Sequence, residues 1–169
     1  YLVLNFSSPN TKDLRELQQE HHLFDMLTTL KNLQTLLAHQ HDRYVPLLVK
    51  IAPDIDDEQL KKMAQVILAT EMDGVIATNT TVSREGVEGH PYADEKGGLS
   101  GAPLKSRSLH VIKQLNLHLK GQIPIIGLGG IMTAKDAQEA FDAGASLVQV
   151  YSGLVYHGAG LIKEIAKLK

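Results

Sequence analysis

Residues 123–153, IPIIGLGGIMTAKDAQEAFDAGASLVQVYSG, decide how the chain folds. Ile123–Leu128 is an apolar run of strand length that stops at Gly129 and Gly130. Thr133 then opens an amphipathic segment that closes before Gly144, and Ser146–Tyr151 is apolar again. Two strand-length runs joined by a capped helical segment form a crossover, the connection that parallel neighbours in a sheet require. The glycines sit where a helix or strand must stop and turn.

Working outward, the same unit recurs. A strand over Leu2–Phe6 is followed by a polar loop and a helix whose Leu23, Met26, Leu27, Leu30, Leu33 and Leu37 keep to one face, which predicts that face to be buried. Pro46–Ile51 is a second strand. After Pro53, Asp56 with Gln59 three residues on makes an N-cap, and Leu60, Met63, Ala64, Ile67 and Leu68 form a buried stripe. Gly74–Thr78 is a third strand. The glycine-rich stretch from Val82 to Ala102 is too irregular for one element and reads as a functional loop, before a helix around Ser106–Leu117. A last helix covers Gly160–Leu168. Five βα units of an α/β protein result, and periodicity alone does not separate a barrel from a doubly wound sheet.

At 169 residues and 43% apolar composition the chain is long enough for one core. Its net charge of −2, with Lys and Arg dispersed, offers no cationic stripe for a nucleic acid backbone. No apolar run reaches the roughly 20 residues that span a bilayer. With no Cys there are no disulfides, thiolate metal sites or Cys nucleophile, and the eight His are scattered without a carboxylate pattern that would mark a metal site. Asp54, Asp56 and Asp57 read as capping residues. A chain that opens on Tyr1 and enters a strand directly reads as part of a longer protein.

The chemistry gathers at the carboxyl ends of the strands: NFSSPNT (5–11), VKIAPD (49–54), ATNTT (77–81), GLGG (127–130) and VYSG (150–153). Asn, Ser and Gly at one tip are ordinary turn formers, but five such tips converge on one face in a barrel, where barrel enzymes place their active sites. Lys50 ends a strand otherwise apolar, and an ammonium facing inward there needs an anionic partner to offset its desolvation. Gly129 and Gly130 end one strand and Tyr151, Ser152 and Gly153 end the next. Barrels often bind phosphate between such loops, where bare backbone NH groups can approach an anion, and Gly101 in GGLSG adds a further donor.

These strings, with GGLSGAPL, PIIGLGGI and GASLVQVYSG in the same order, resemble the dihydroorotate dehydrogenases over nearly the whole chain. The resemblance implies a TIM-type (β/α) barrel with only the last five of eight βα units present, so that residues 1–169 would be a partial FMN-binding barrel domain. It implies FMN-dependent oxidation of dihydroorotate to orotate in pyrimidine biosynthesis. On the matching positions Ser8 is the base that takes the C5 proton while hydride leaves C6 for the flavin, with Ser7 as the competing neighbour. Asn5, Asn10, Asn79 and Thr80 contact the substrate. Lys50 lies beside the flavin, Thr78 faces it, and Asn5, Gly101, Gly129, Gly130, Tyr151 and Ser152 complete the cofactor's surroundings. Ser152 stands where family members often carry Thr. The segment Asn10–Gln18, with Lys12 and Arg15, resembles the family's lid over the substrate.

A Ser where one class of the family has Cys resembles class 2, whose electron acceptor is a quinone. That implies a parent enzyme peripheral to the inner membrane through an N-terminal segment absent here, with this fragment alone inactive or holding FMN weakly. Two other readings compete. One is another FMN barrel oxidoreductase on a pyrimidine, such as a dihydropyrimidine dehydrogenase-like domain or a dihydrouridine synthase. The other is a non-catalytic half barrel that binds a phosphorylated ligand.

Overall fold

The computed structural model describes residues 1–9 and 20–168, with Glu20 and His21 as backbone only. Five strands form one parallel sheet: β1 (Leu2–Asn5), β2 (Leu47–Ile51), β3 (Gly74–Ala77), β4 (Ile125–Leu128) and β5 (Leu147–Gln149), in the order β1-β2-β3-β4-β5. Helices α1 (Glu20–His41), α2 (Asp57–Ala69), α3 (Lys105–Leu119) and α4 (Ala134–Asp142) connect them, and α5 (Ser152–His157) and α6 (Ala159–Ile165) follow β5. In a doubly wound sheet the strand order reverses at a switch point. Here spatial order is chain order, and α1, α2, α3, α4 and α6 pack on one another in the same succession.

The two faces of the sheet differ accordingly. Val49, Ile51, Val75, Ala77 and Ile125 join the helices in the main core, whereas Leu48, Ile76, Ile126 and Leu128 form a second cluster made of strand residues alone. Helices α1, α2, α3, α4 and α6 therefore lie outside, and the inner face is a barrel lining. The sheet also curls. Gln149 Nε2 on β5 donates to the Tyr1 hydroxyl at 2.9 Å, although in a flat sheet four strand spacings would part β1 and β5 by about 19 Å. These are five consecutive units of a TIM-type barrel wall.

Local sequence explains the helices. Asp56 caps α2 by accepting from the Gln59 amide at 2.7 Å, and Leu60, Met63, Ala64 and Ile67 fill the core behind it. Thr133 and Asp136 form a reciprocal capping box on α4, whose buried face is only Ala137 and Ala140, small enough to lie close to the sheet. On α1, Leu23 and Leu27 are buried as expected, but Leu33 and Leu37 are 46% and 42% exposed. The buried line continues instead through Gln34, and α1 stands at the β1 end of the row, where α2 covers one flank only.

At the amino ends of the strands Asp73 ties three segments together. Its carboxylate accepts from the Leu47 amide and Gln34 Nε2, each at 2.8 Å, from Lys31 Nζ at 3.2 Å, and from the Tyr44 hydroxyl. Burial alone would raise the Asp73 pKa, but hydrogen bonds from Tyr44, Leu47, Gln34 and Lys31 outweigh it and hold the carboxyl below its usual value.

Beyond β3 the chain makes a strap. An antiparallel bridge between Thr81 and Leu99 closes it, and the Arg84 guanidinium donates to the carbonyls of Glu95 and Gly97, both at 2.8 Å. A 3-10 turn, Ala102–Leu104, leads into α3. The last helix expected over Gly160–Leu168 is α6 followed by a 3-10 turn at Ala166–Leu168, and a further helix, α5, precedes it. Gly158, at φ +63°, separates the two helices, and α5 begins on Ser152, where the sequence had suggested only a strand tip. No helix among the described residues is long and apolar enough to cross a membrane.

Candidate active site

Strand register places Asn5, Lys50 and Ile76 in one row across the inner face. Above that row, at the carboxyl ends, lies a cleft of about 460 Å³, within the size range of small-molecule sites. Lys50, Thr78, Asn79, Thr80, Gly101, Gly129, Gly130, Tyr151 and Ser152 line it together. The structure thus gathers residues from four separate strand ends and the strap. Asn5 and Ser8 do not line this cleft, and Asn10, the segment to Gln18 and the side chain of His21 lie outside the described residues.

Lys50 is half-buried, and its ammonium has no hydrogen-bond or ion-pair partner among the described residues; burial lowers its pKa from the ordinary lysine value. An unpaired ammonium facing a cleft is a place for an electron-rich or anionic group, since such a partner would offset the desolvation.

Beside it, Asn79 organises the first strand end. Its Nδ2 donates to Asn5 Oδ1 at 3.0 Å and to Ser7 Oγ at 3.1 Å, and its Oδ1 accepts from the Thr80 amide at 2.9 Å. Both amide hydrogens are committed, and one acceptor position on Oδ1 remains. Ser7 is fully buried, whereas Ser8 is only partly so. Thr78 is buried too, and its hydroxyl donates to the Asn79 carbonyl at 2.9 Å. The strap reaches the same corner. A Cβ on Gly98 would lie 1.8 Å from Thr80 Oγ1 and 2.9 Å from the Pro9 ring, so a bare backbone is required there.

The opposite end of the cleft is glycine and serine. Gly130 has φ +73°, and a Cβ there would meet the Lys105 Cα at 2.3 Å. Ser108 Oγ donates to the Gly129 carbonyl at 2.7 Å, pinning this turn to α3. Tyr151 is 74% exposed, which leaves mainly its backbone to the cleft wall. The nearby Lys105 is occupied: its Nζ pairs with Asp136 at 2.5 Å and Glu139 at 2.8 Å, and those hydrogen bonds raise its pKa.

Sequence reasoning missed Ser100, Leu104, Leu128, Ile131, Met132, Gln149 and Val150 as lining residues. Gln149 carried a signal, a polar side chain in an otherwise apolar strand on the face shared with Leu128. The acidic residues after β2 are structural. Asp54 accepts from the Thr81 hydroxyl and from the Val82 amide at 2.9 Å, and Asp57 pairs with His110 at 2.7 Å. Among the described residues no group of His, Cys, Asp or Glu could hold a metal ion.

The family model described as Dihydroorotate dehydrogenase matches residues 1–168. The dihydroorotate dehydrogenase (quinone) of Chromobacterium violaceum is 57% identical over 167 residues, 99% of this chain and 48% of the relative. That of Nitrosomonas eutropha is 56% identical over 168 residues, 99% of this chain and 49% of the relative. Among solved structures, the Eimeria tenella dihydroorotate dehydrogenase in complex with ferulenol matches with a TM-score of 0.93 at 38% identity, over 99% of this chain and 48% of that one. Its ligand-free form gives 0.91 at 40% identity, over 99% and 49%. The chain spans about half the length of these relatives. By family match and by sequence identity alike, it belongs to the dihydroorotate dehydrogenase family.

Proposed function

We propose that this chain carries the substrate end and the cofactor end of an FMN-dependent dihydroorotate dehydrogenase, which oxidises dihydroorotate to orotate in pyrimidine biosynthesis and passes electrons to a quinone. The observation that carries the reading is the cleft itself. A half-buried Lys50, its ammonium without a partner among the described residues, lines the cleft with Gly101, Gly129, Gly130 and Ser152, next to the Asn5–Ser7–Asn79 cluster. A flavin mononucleotide asks for that combination: a cation near the ring, and bare backbone with a hydroxyl near the phosphate. Bound FMN supplies the hydride acceptor.

The chain's residues do the rest. Ser8 removes the substrate C5 proton, for which a hydroxyl needs a positioned onward acceptor and a water-poor site. Ser7 is unsuited to that task, being fully buried and bonded to Asn79. Asn79 keeps an acceptor lone pair for a ring N–H, and Asn5, Asn10 and Thr80 supply further polar contacts. Lys50 offers its ammonium to the electron-rich edge of the flavin, and the backbone of Gly101, Gly129, Gly130 and Tyr151 with the Ser152 hydroxyl holds the phosphate. Thr78 fits the flavin's surroundings through its buried position rather than its hydroxyl. A quinone acceptor fits a protein working peripherally at a membrane, through segments other than those described.

The test is anaerobic bleaching of flavin absorbance by dihydroorotate in the full protein. Ser8→Ala should slow bleaching by about 10²–10⁴-fold, the usual worth of general base catalysis. Unchanged bleaching would remove Ser8 from the mechanism, and a protein that binds no FMN would remove the reading altogether.

A further inference from the structure

The Ser152 hydroxyl has a partner 52 positions away in the chain. Ser100 Oγ lies 2.9 Å from Ser152 Oγ, either oxygen can be the donor, and both residues line the cleft. Neither hydroxyl has another partner among the described residues. Two hydroxyls carry two hydrogens, and their mutual bond consumes one. The second is left to point elsewhere, and both side chains border the cleft.

Gly101 narrows the options. At φ +82° its backbone packs on Ser152, a Cβ there falling 3.6 Å from both Cβ and Oγ of that serine. The Ser152 side chain is thus held between the Gly101 backbone and the Ser100 hydroxyl. When an anion occupies the glycine end of the cleft, Ser152 donates to it, and Ser100 is the group placed to donate to Ser152 in turn. Each bond in such a chain polarises the next.

We infer that Ser100 is a positioning residue for the cofactor phosphate: it orients the Ser152 hydroxyl without itself holding the ligand. This rests on the flavin reading above. It also gives the strap a role in cofactor selection, because Ser100 directly follows the Thr81–Leu99 bridge that closes it.

The test compares FMN with riboflavin, which lacks the phosphate, by fluorescence titration of the flavin-free full protein. Wild type should prefer FMN. Ser100→Ala should cut that preference roughly fivefold, the worth of a neutral hydrogen bond, and Ser152→Ala by about tenfold or more, that of one to a charged group. Riboflavin affinity should hold in both, which controls for folding. In the doubly substituted protein the preference should equal that of Ser152→Ala, since Ser100 has nothing left to orient, and Ser100→Thr should restore it. An unchanged preference in Ser100→Ala, or a Ser100 effect that persists without Ser152, would overturn the inference while leaving the flavin reading intact. A wild type indifferent to the phosphate would overturn both.

Discussion

At Lys50 the needs of folding and of chemistry pull apart. Burial lowers its pKa, so between that lowered value and the ordinary lysine value near 10.4 the unfolded chain binds more protons than the folded one. Stability of the flavin-free protein should therefore rise with pH into that window, as the unpaired charge is lost. Lys50→Met should remove this rise and increase the melting temperature of the flavin-free protein at neutral pH, measured by thermal melts from pH 7 to 10. The same substitution should slow flavin reduction by about 10²–10³-fold, the cost of removing one preorganised electrostatic partner. A lower melting temperature at neutral pH would mean that Lys50 is structural. Lys50 was legible in the sequence because a charge closing an apolar strand is conspicuous. The division of labour between Ser7 and Ser8 was not, since it depends on which neighbour the Asn79 amide meets, 72 positions along the chain from Ser7. Ser100 was invisible for the same reason.

Individual elements carry their own tests. The turn after β4 is tied to α3 at Gly130, where an added methyl would strike the backbone of Lys105 in a conformation that already disfavours side chains. Gly130→Ala should destabilise the protein by more than about 2 kcal/mol and abolish tight FMN binding, measured by urea unfolding and flavin titration. At the other end of the sheet, Asp73→Asn keeps the shape but removes the charge that gathers Lys31, Gln34, Tyr44 and the Leu47 amide. It should cost about 1–3 kcal/mol at pH 7. Because the Asp73 pKa is depressed on folding, its contribution is complete above the ordinary carboxyl value near 3.9 and fades as pH falls through the lower folded value. Variant and wild type should thus draw together in urea midpoint as the pH falls below the ordinary carboxyl value. Caps were readable at this scale, Asp56 and Thr133 among them, because a cap is decided within four residues. Helix α5 was not, since Gly153 looks like a breaker until its contact with the Ile131 carbonyl, 2.3 Å from where a Cβ would be, shows why nothing larger fits.

For the molecule as a whole, the sequence could count βα units but not choose their arrangement, because strand order is a matter of which neighbours meet. The single-sided helix layer and the strand-only inner cluster settle it as a barrel wall. Within that wall each strand pairs with those next to it in the chain, so every ladder closes a loop of one βα unit. The hydrogen bond between Tyr1 and Gln149 is different, spanning 148 positions. That contrast has a kinetic meaning. Ladders of short span can assemble in succession at modest entropic cost, whereas a contact joining the first strand to the last has to wait until the curvature between them exists. Tyr1→Phe should accordingly leave the refolding rate of this chain near its original value and accelerate unfolding by about two- to fivefold in stopped-flow experiments, as expected for an interaction absent from the transition state. An equal slowing of refolding would instead mean that the arc closes early and the ladders fill in behind it.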